Sequence, residues 1–316
     1  MRLRWRTGLI APLLLLCVLP PGGVAETDVP PSPQRARDIG KLTGQNLDLW
    51  EQPALGPYAP KSPGDPDLGE QLVVAEFEEY RPFSFLLAQR SLWTDNAALT
   101  DDNELSDFYS DTELRLSYMP RLAANTYGEF NASYSFYRYA DHSFLDFDSI
   151  EASVGAIHVF RSLNDLSVWS RYNYNSLLTG SGHDEFFRDH SIELGLYYPI
   201  PLGIGNLAYF GYNSEFSIDS NPDYSSRHEH AFTIGYSYSA TDRIELGTYY
   251  RFYVHDYHEL DRTDLLHTVG LSLTTRITER LDLLLAGSYS LNDSDARGGD
   301  YEVGEAGAII GFSYDF

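Results

Sequence analysis

The chain has 316 residues, 46 acidic side chains against 22 basic ones, and a single cysteine. That balance excludes a nucleic-acid partner, which needs clustered Lys and Arg opposite phosphate. Cys17 lies in an N-terminal apolar run, so removal of that run excludes disulfides, thiolate metal sites and a cysteine nucleophile together.

Arg2, Arg4 and Arg6 precede the apolar stretch from Leu9 to Leu19. Pro20 to Gly23 break the run, and Gly23-Val24-Ala25 supplies the small residues of a cleavage site. The run is too short for a membrane-spanning helix. Leu14 to Leu16 before Cys17 also lack the small residue that lipidation needs. Residues 1–25 are therefore predicted to be a signal peptide. Its removal leaves 19 basic against 46 acidic residues.

Twelve of the 16 prolines and both lysines fall in residues 1–82. Residues 26–82 read as a Pro/Gly/Asp-rich periplasmic arm, largely extended or disordered, available to a periplasmic partner. Gln71 to Tyr80 has enough apolar content to order against the remainder of the chain.

Residues 83–316 show no helical period. They alternate instead: Phe130, Ala132, Tyr134 and Phe136 against Glu129, Asn131, Ser133 and Ser135, and Ile192, Leu194, Leu196 and Tyr198 against Glu193, Gly195, Tyr197 and Pro199. Phe232, Ile234, Tyr236 and Tyr238 repeat the pattern, as do Leu246, Thr248, Tyr250 and Phe252. A period of two puts one set on each face of a strand. Short links at 120–125, 162–165, 202–206, 241–243 and 278–280 alternate with longer polar segments at 96–106, 141–147, 180–189, 220–227, 256–264 and 292–302. Five short links and six long ones join twelve strands. The predicted fold is all-β: a transmembrane antiparallel up-and-down barrel of about 12 strands spanning residues 83–316.

The chain closes on Ala308, Ile310, Phe312, Tyr314 and Phe316 on one face, with Gly311, Ser313 and Asp315 on the other. This resembles the final strand of bacterial outer-membrane β-barrel proteins, porins among them, and the resemblance extends as a pattern over the whole barrel segment. It implies a Gram-negative outer-membrane location amid lipid and lipopolysaccharide. It also implies that Phe312, Tyr314 and Phe316 form the signal read by the barrel assembly machinery.

With apolar faces toward lipid, the inward set includes Glu113, Arg115, Glu129, Arg171, Glu193, Glu215, Glu245, Arg251 and Arg276. The barrel segment holds 14 Arg, no Lys and 35 acids. Arginine's planar fork pairs with carboxylates at fixed geometry, so one reading of these residues is an Arg–carboxylate lattice that stiffens the lumen. The other is a selectivity zone in a passage, and both can hold at once.

No metal ligand set, cofactor motif or catalytic run stands out. The nearest approach to a catalytic cluster is Ser225, Ser226, His228, Glu229 and His230. Asn292 to Asp300 resembles a calcium loop but has Gly304 where the closing glutamate belongs. The long segments are acidic, and beside lipopolysaccharide they would form a crown that divalent cations could bridge. The function expected is a non-enzymatic, porin-like channel for passive diffusion of small polar solutes. The alternatives are an accessory or structural barrel of an envelope or exopolysaccharide-export system, and an outer-membrane hydrolase using the outer histidines.

Overall fold

A computed structural model describes residues 32–39, 80–180 and 184–316. The predicted signal peptide and residues 26–31 and 40–79 of the arm lie outside the described residues. Strands β1 (Phe83–Thr94), β2 (Asp107–Tyr118), the three-residue β3 (Arg121–Ala123), β4 (Thr126–Tyr139), β5 (Phe147–Phe160), β6 (Leu166–Thr179) and β7 (Glu185–Gly203) come first. They are followed by β8 (Asn206–Asn221), β9 (Arg227–Thr241), β10 (Ile244–Tyr257), β11 (Arg262–Thr278), β12 (Leu281–Ser294) and β13 (Tyr301–Asp315). β3 merely extends one hairpin, and β2 pairs directly with β4, which leaves twelve full-length strands as the alternation predicts.

Each full-length strand pairs antiparallel with its neighbours, and β1 pairs with β13 from Ser84↔Asp315 to Thr94↔Glu305, so the sheet closes on itself. Closure satisfies every edge, which lipid cannot do for a backbone amide. No helix among the described residues is long and apolar enough to cross a membrane; the strands cross instead. The shortest full-length strands have 12 residues, enough for the roughly 9–11 that a tilted crossing requires. β7, with 19 residues, runs past the bilayer, so residues 185–189 of the predicted segment 180–189 are strand.

The outer wall carries Leu114, Leu116, Ile192, Leu194, Ile234, Leu271, Leu285 and Ile310, all well exposed. In water such a surface would be costly, and toward acyl chains it is the favoured one. At the short-link rim Phe83 stacks on Tyr118 and on Phe316, with centroids 4.4 and 5.6 Å away. Phe316 N donates to Phe83 O at 2.9 Å, so the seam between first and last strands is sealed by backbone and by rings. The predicted assembly stripe Phe312, Tyr314 and Phe316 lies on this lipid-facing edge, partly exposed.

By the usual organisation of such barrels, the short-link rim is periplasmic and the long-loop rim extracellular. Residues 33–39 form a short helix, begun by Ser32 and Pro33, a residue pair suited to the first turn. Ala36 N donates to Ser32 O at 3.0 Å. This helix lies inside the outer mouth. For these residues the extended periplasmic chain expected from composition is replaced by a buried helix, because Arg37 and Asp38 find counter-charges there.

Candidate functional site: the lumen and its outer mouth

The inward faces enclose a cavity of about 420 Å³. Its wall holds seven carboxylates (Glu113, Glu129, Glu151, Asp189, Glu193, Glu215, Glu229) and five guanidiniums (Arg37, Arg90, Arg115, Arg171, Arg251). Between them stand Asn131, Asn173, Asn213, Trp169, Tyr197 and Tyr209.

Of the predicted lumen residues, Glu113, Arg115, Glu129, Arg171, Glu193, Glu215 and Arg251 all line this cavity. The structure does not bring Glu245 and Arg276 to it. Glu245 sits near the short-link rim, where it accepts from Ser239 Oγ at 3.3 Å. Arg276 is more than half exposed and lies 3.9 Å from Asp282. Both point inward by alternation, but they stand at strand ends where the lumen opens.

The charges are paired into a lattice. Arg90, on β1, is 2 % exposed; it bonds Asp111 through Nη1 and Glu113 through Nη2, the latter at 2.6 Å. Arg115 Nε donates to the same Glu113 at 2.7 Å. Arg171 Nε donates to Glu129 Oε2 at 2.7 Å, and its Nη1 lies 3.5 Å from Glu193. Glu193 also accepts from Trp169 Nε1 at 2.7 Å, Asn173 at 3.0 Å and Asn213 at 3.1 Å. Arg251 donates to Thr233 Oγ1 at 2.9 Å and lies over the Tyr249 ring. Sequence reasoning missed Arg90, because β1 is apolar on both faces and its alternation is weak.

Three rings lie flat against the wall because the residue directly opposite is glycine. Trp169 faces Gly195, Tyr209 faces Gly235 and Tyr249 faces Gly270. A Cβ on any of these glycines would stand 2.1–2.3 Å from the ring.

The outer mouth is filled by residues 33–39. Arg35 Nε donates to Ala97 O, in the β1–β2 loop, and its guanidinium lies over Tyr139. Arg37 donates to Ser225 O at 3.0 Å, lies 3.7 Å from Asp189 and covers the Phe187 ring. Asp38 accepts from Arg227 Nη2 at 2.9 Å, and Arg227 also reaches Glu229 and the Tyr257 hydroxyl. Ala36 and Ile39 join an apolar cluster with Leu92, Tyr109, Tyr137, Tyr139, Leu145, Phe147, Leu177 and Phe187. The pair Ser32-Pro33 ahead of Arg35, Ala36, Arg37 and Ile39 is the one sequence signal that could have located this helix.

The histidine cluster expected near residue 228 is divided by the sheet. His228 and His230 face outward, whereas Glu229 between them faces the lumen, 3.3 Å from His255 Nε2. Ser225 Oγ donates to Pro222 O. In the 292–300 segment the carboxylates cap backbone: Asp300 accepts from Ser294 N at 2.8 Å, and Asp295 from Thr263 N at 2.9 Å.

No family model matches the chain, and no curated protein does. Among solved structures it resembles the COG4313 outer membrane channel from Pseudomonas putida F1, at 9 % identity over 75 % of this chain and 96 % of that one, with a TM-score of 0.55. It also resembles the KdgM porin, at 12 % identity over 73 % of this chain and 99 % of that one, TM-score 0.40. The translocator domain of the autotransporter NalP from Neisseria meningitidis matches at 12 % identity over 76 % of this chain and 90 % of that one, TM-score 0.42. At these identities the likeness is one of fold. A closed twelve-stranded sheet, apolar outside and charged within, together with that likeness, gives this chain the fold of bacterial outer-membrane β-barrel proteins.

Proposed function

We propose that the barrel is a channel for passive diffusion of small polar solutes, held shut at its outer mouth by the helix of residues 33–39. The observation that carries this reading is the charged cavity beneath that helix. A passage needs a polar interior space whose groups exchange with water and solute. The lattice keeps the guanidiniums and carboxylates in place, so a solute meets fixed charges. With seven acids against five bases on the wall, small cations are favoured over anions.

Planar-bilayer recording tests this. The full chain should conduct rarely, and a variant lacking residues 32–39 should conduct steadily, provided that it still shows the heat-modifiable mobility of a folded barrel. Replacing Glu193 and Glu215 together by Gln should move the reversal potential toward anions. The change should fade as the Debye length falls to about 3 Å near 1 M salt. A folded variant that lacks the helix and still conducts nothing would favour an accessory or structural barrel, a role that a filled mouth also suits.

A further inference from the structure

The lipid-facing wall carries a repeated hydrogen bond that neither the lumen nor the helix at the mouth explains. Tyr172 on β6, Tyr212 on β8 and Tyr250 on β10 each reach diagonally to a histidine on the next strand. The phenol oxygens lie 2.6 Å from His190 Nδ1, 3.0 Å from His230 Nδ1 and 2.8 Å from His267 Nδ1. Ser214 Oγ adds a second hydroxyl 2.9 Å from His230 Nδ1. Each histidine lies two residues on the loop side of the tyrosine's directly opposed partner, so the three pairs are equivalent by register.

Their height follows from their neighbours. Two residues further into the membrane from each histidine stand Ile192, Phe232 and Val269, all more than 40 % exposed, and the apolar series continues through Leu194, Ile234 and Leu271. Two residues toward the loops stand Arg188, His228 and Leu265. The histidines therefore mark the upper edge of the hydrocarbon band, where headgroups begin.

Hydrogen-bond economy then fixes what they present. The phenol is the stronger acid of each pair and donates to Nδ1, which places the ring proton on Nε2. Nε2 of these three rings has no partner among the described residues and is not a buried atom. Three N–H donors thus open outward at a level where a donor without an acceptor is costly. Alternate strands of a sheet lie about 10 Å apart, so the donors form an arc about 20 Å wide. A single-phosphate phospholipid covers one such position. A disaccharide headgroup bearing two phosphates spans several, and Arg188, 40 % exposed in its side chain and 3.7 Å from Glu185, stands beside His190.

We propose that His190, His230 and His267, oriented by Tyr172, Tyr212 and Tyr250, form a docking surface for the phosphorylated disaccharide headgroup of lipopolysaccharide. Native mass spectrometry of the full detergent-purified chain tests it, with bisphosphorylated lipid A, dephosphorylated lipid A and phosphatidylglycerol as probes. Bisphosphorylated lipid A should bind at least tenfold more tightly than the other two. The triple change His190→Leu, His230→Leu and His267→Leu should remove that preference, whereas the three corresponding Gln changes, which keep a donor, should retain most of it. Single His190→Leu and His267→Leu chains, each expected to weaken binding about threefold, serve if the triple Leu chain does not fold. Equal binding of phosphatidylglycerol or dephosphorylated lipid A would overturn the proposal, as would undiminished binding by folded Leu variants. The readout is lipid retention, so its failure is separable from a failure of the channel reading, which conductance decides.

Discussion

Arg90 and Arg227 are among the largest side chains wholly enclosed in the wall, and each is surrounded by more than one counter-charge. An enclosed guanidinium is stabilising only while its partners are present; removing one side of such a set leaves an uncompensated buried charge. Arg90→Met would leave Asp111 without its guanidinium partner and Glu113 with Arg115 alone. The expected loss is about 3–5 kcal/mol, read as a lower midpoint of urea unfolding in detergent. Adding Asp111→Asn to the Arg90→Met chain should restore part of it. A midpoint unmoved by Arg90→Met would mean that water, and not the guanidinium, satisfies these acids. The inward orientation of Glu113, Glu129 and Glu193 was legible in the sequence, because alternation assigns faces. Their partners were not: pairing depends on register across strands, as with Arg171 and Glu129 on strands that are not neighbours.

Among elements, the hairpins were read well because each carries its own signal: an alternating run, a short polar link, another run. The strand ends were read less well. Polar residues in the outer halves of β7, β8 and β11 resemble loop, yet these strands stay paired above the bilayer, since pairing satisfies the backbone whether or not the side chains are apolar. Cross-strand pairs also stiffen individual hairpins. In β6–β7 the Trp169 ring lies where a side chain at Gly195 would go, with Cε2 2.2 Å from an ideal Cβ. Gly195→Ala should therefore push the indole into the lumen, break its bond to Glu193 and cost about 1–3 kcal/mol, the usual price of overpacking. Trp169 emission should shift to the red and become easier to quench by a soluble quencher. Unchanged emission in a folded Gly195→Ala chain would mean that the backbone, rather than the ring, gives way.

For the whole molecule, orientation follows from the segregation of loops: residues 95–106, 140–146 and 295–300 are joined to one rim, and 204–205, 242–243 and 279–280 to the other. Cys17 lies in the predicted signal peptide, so introduced cysteines can report sidedness. Asp295→Cys should react with a membrane-impermeant maleimide on intact cells, and Asp242→Cys should react only after the envelope is opened. The reverse pattern would invert the barrel and put the helix of residues 33–39 at the periplasmic mouth. That helix was the least legible part of the molecule. Composition marked its surroundings as arm, and seven residues are too few for a periodic pattern. What holds it is tertiary: Asp38 with Arg227, and Arg37 with Asp189, nearly 190 and just over 150 positions away along the chain.

The seam between β1 and β13 has a consequence in time. Ser84 meets Asp315 across 231 positions of sequence, while every other full-length neighbour follows closely in order. Hairpins can zip one after another, but the first strand waits with an unsatisfied edge until the last has been made and delivered. Long-range pairing of this kind is slow, and an edge left open in the interval is open to any passing chain. The interval between export and closure is therefore the period in which this protein most needs an escort.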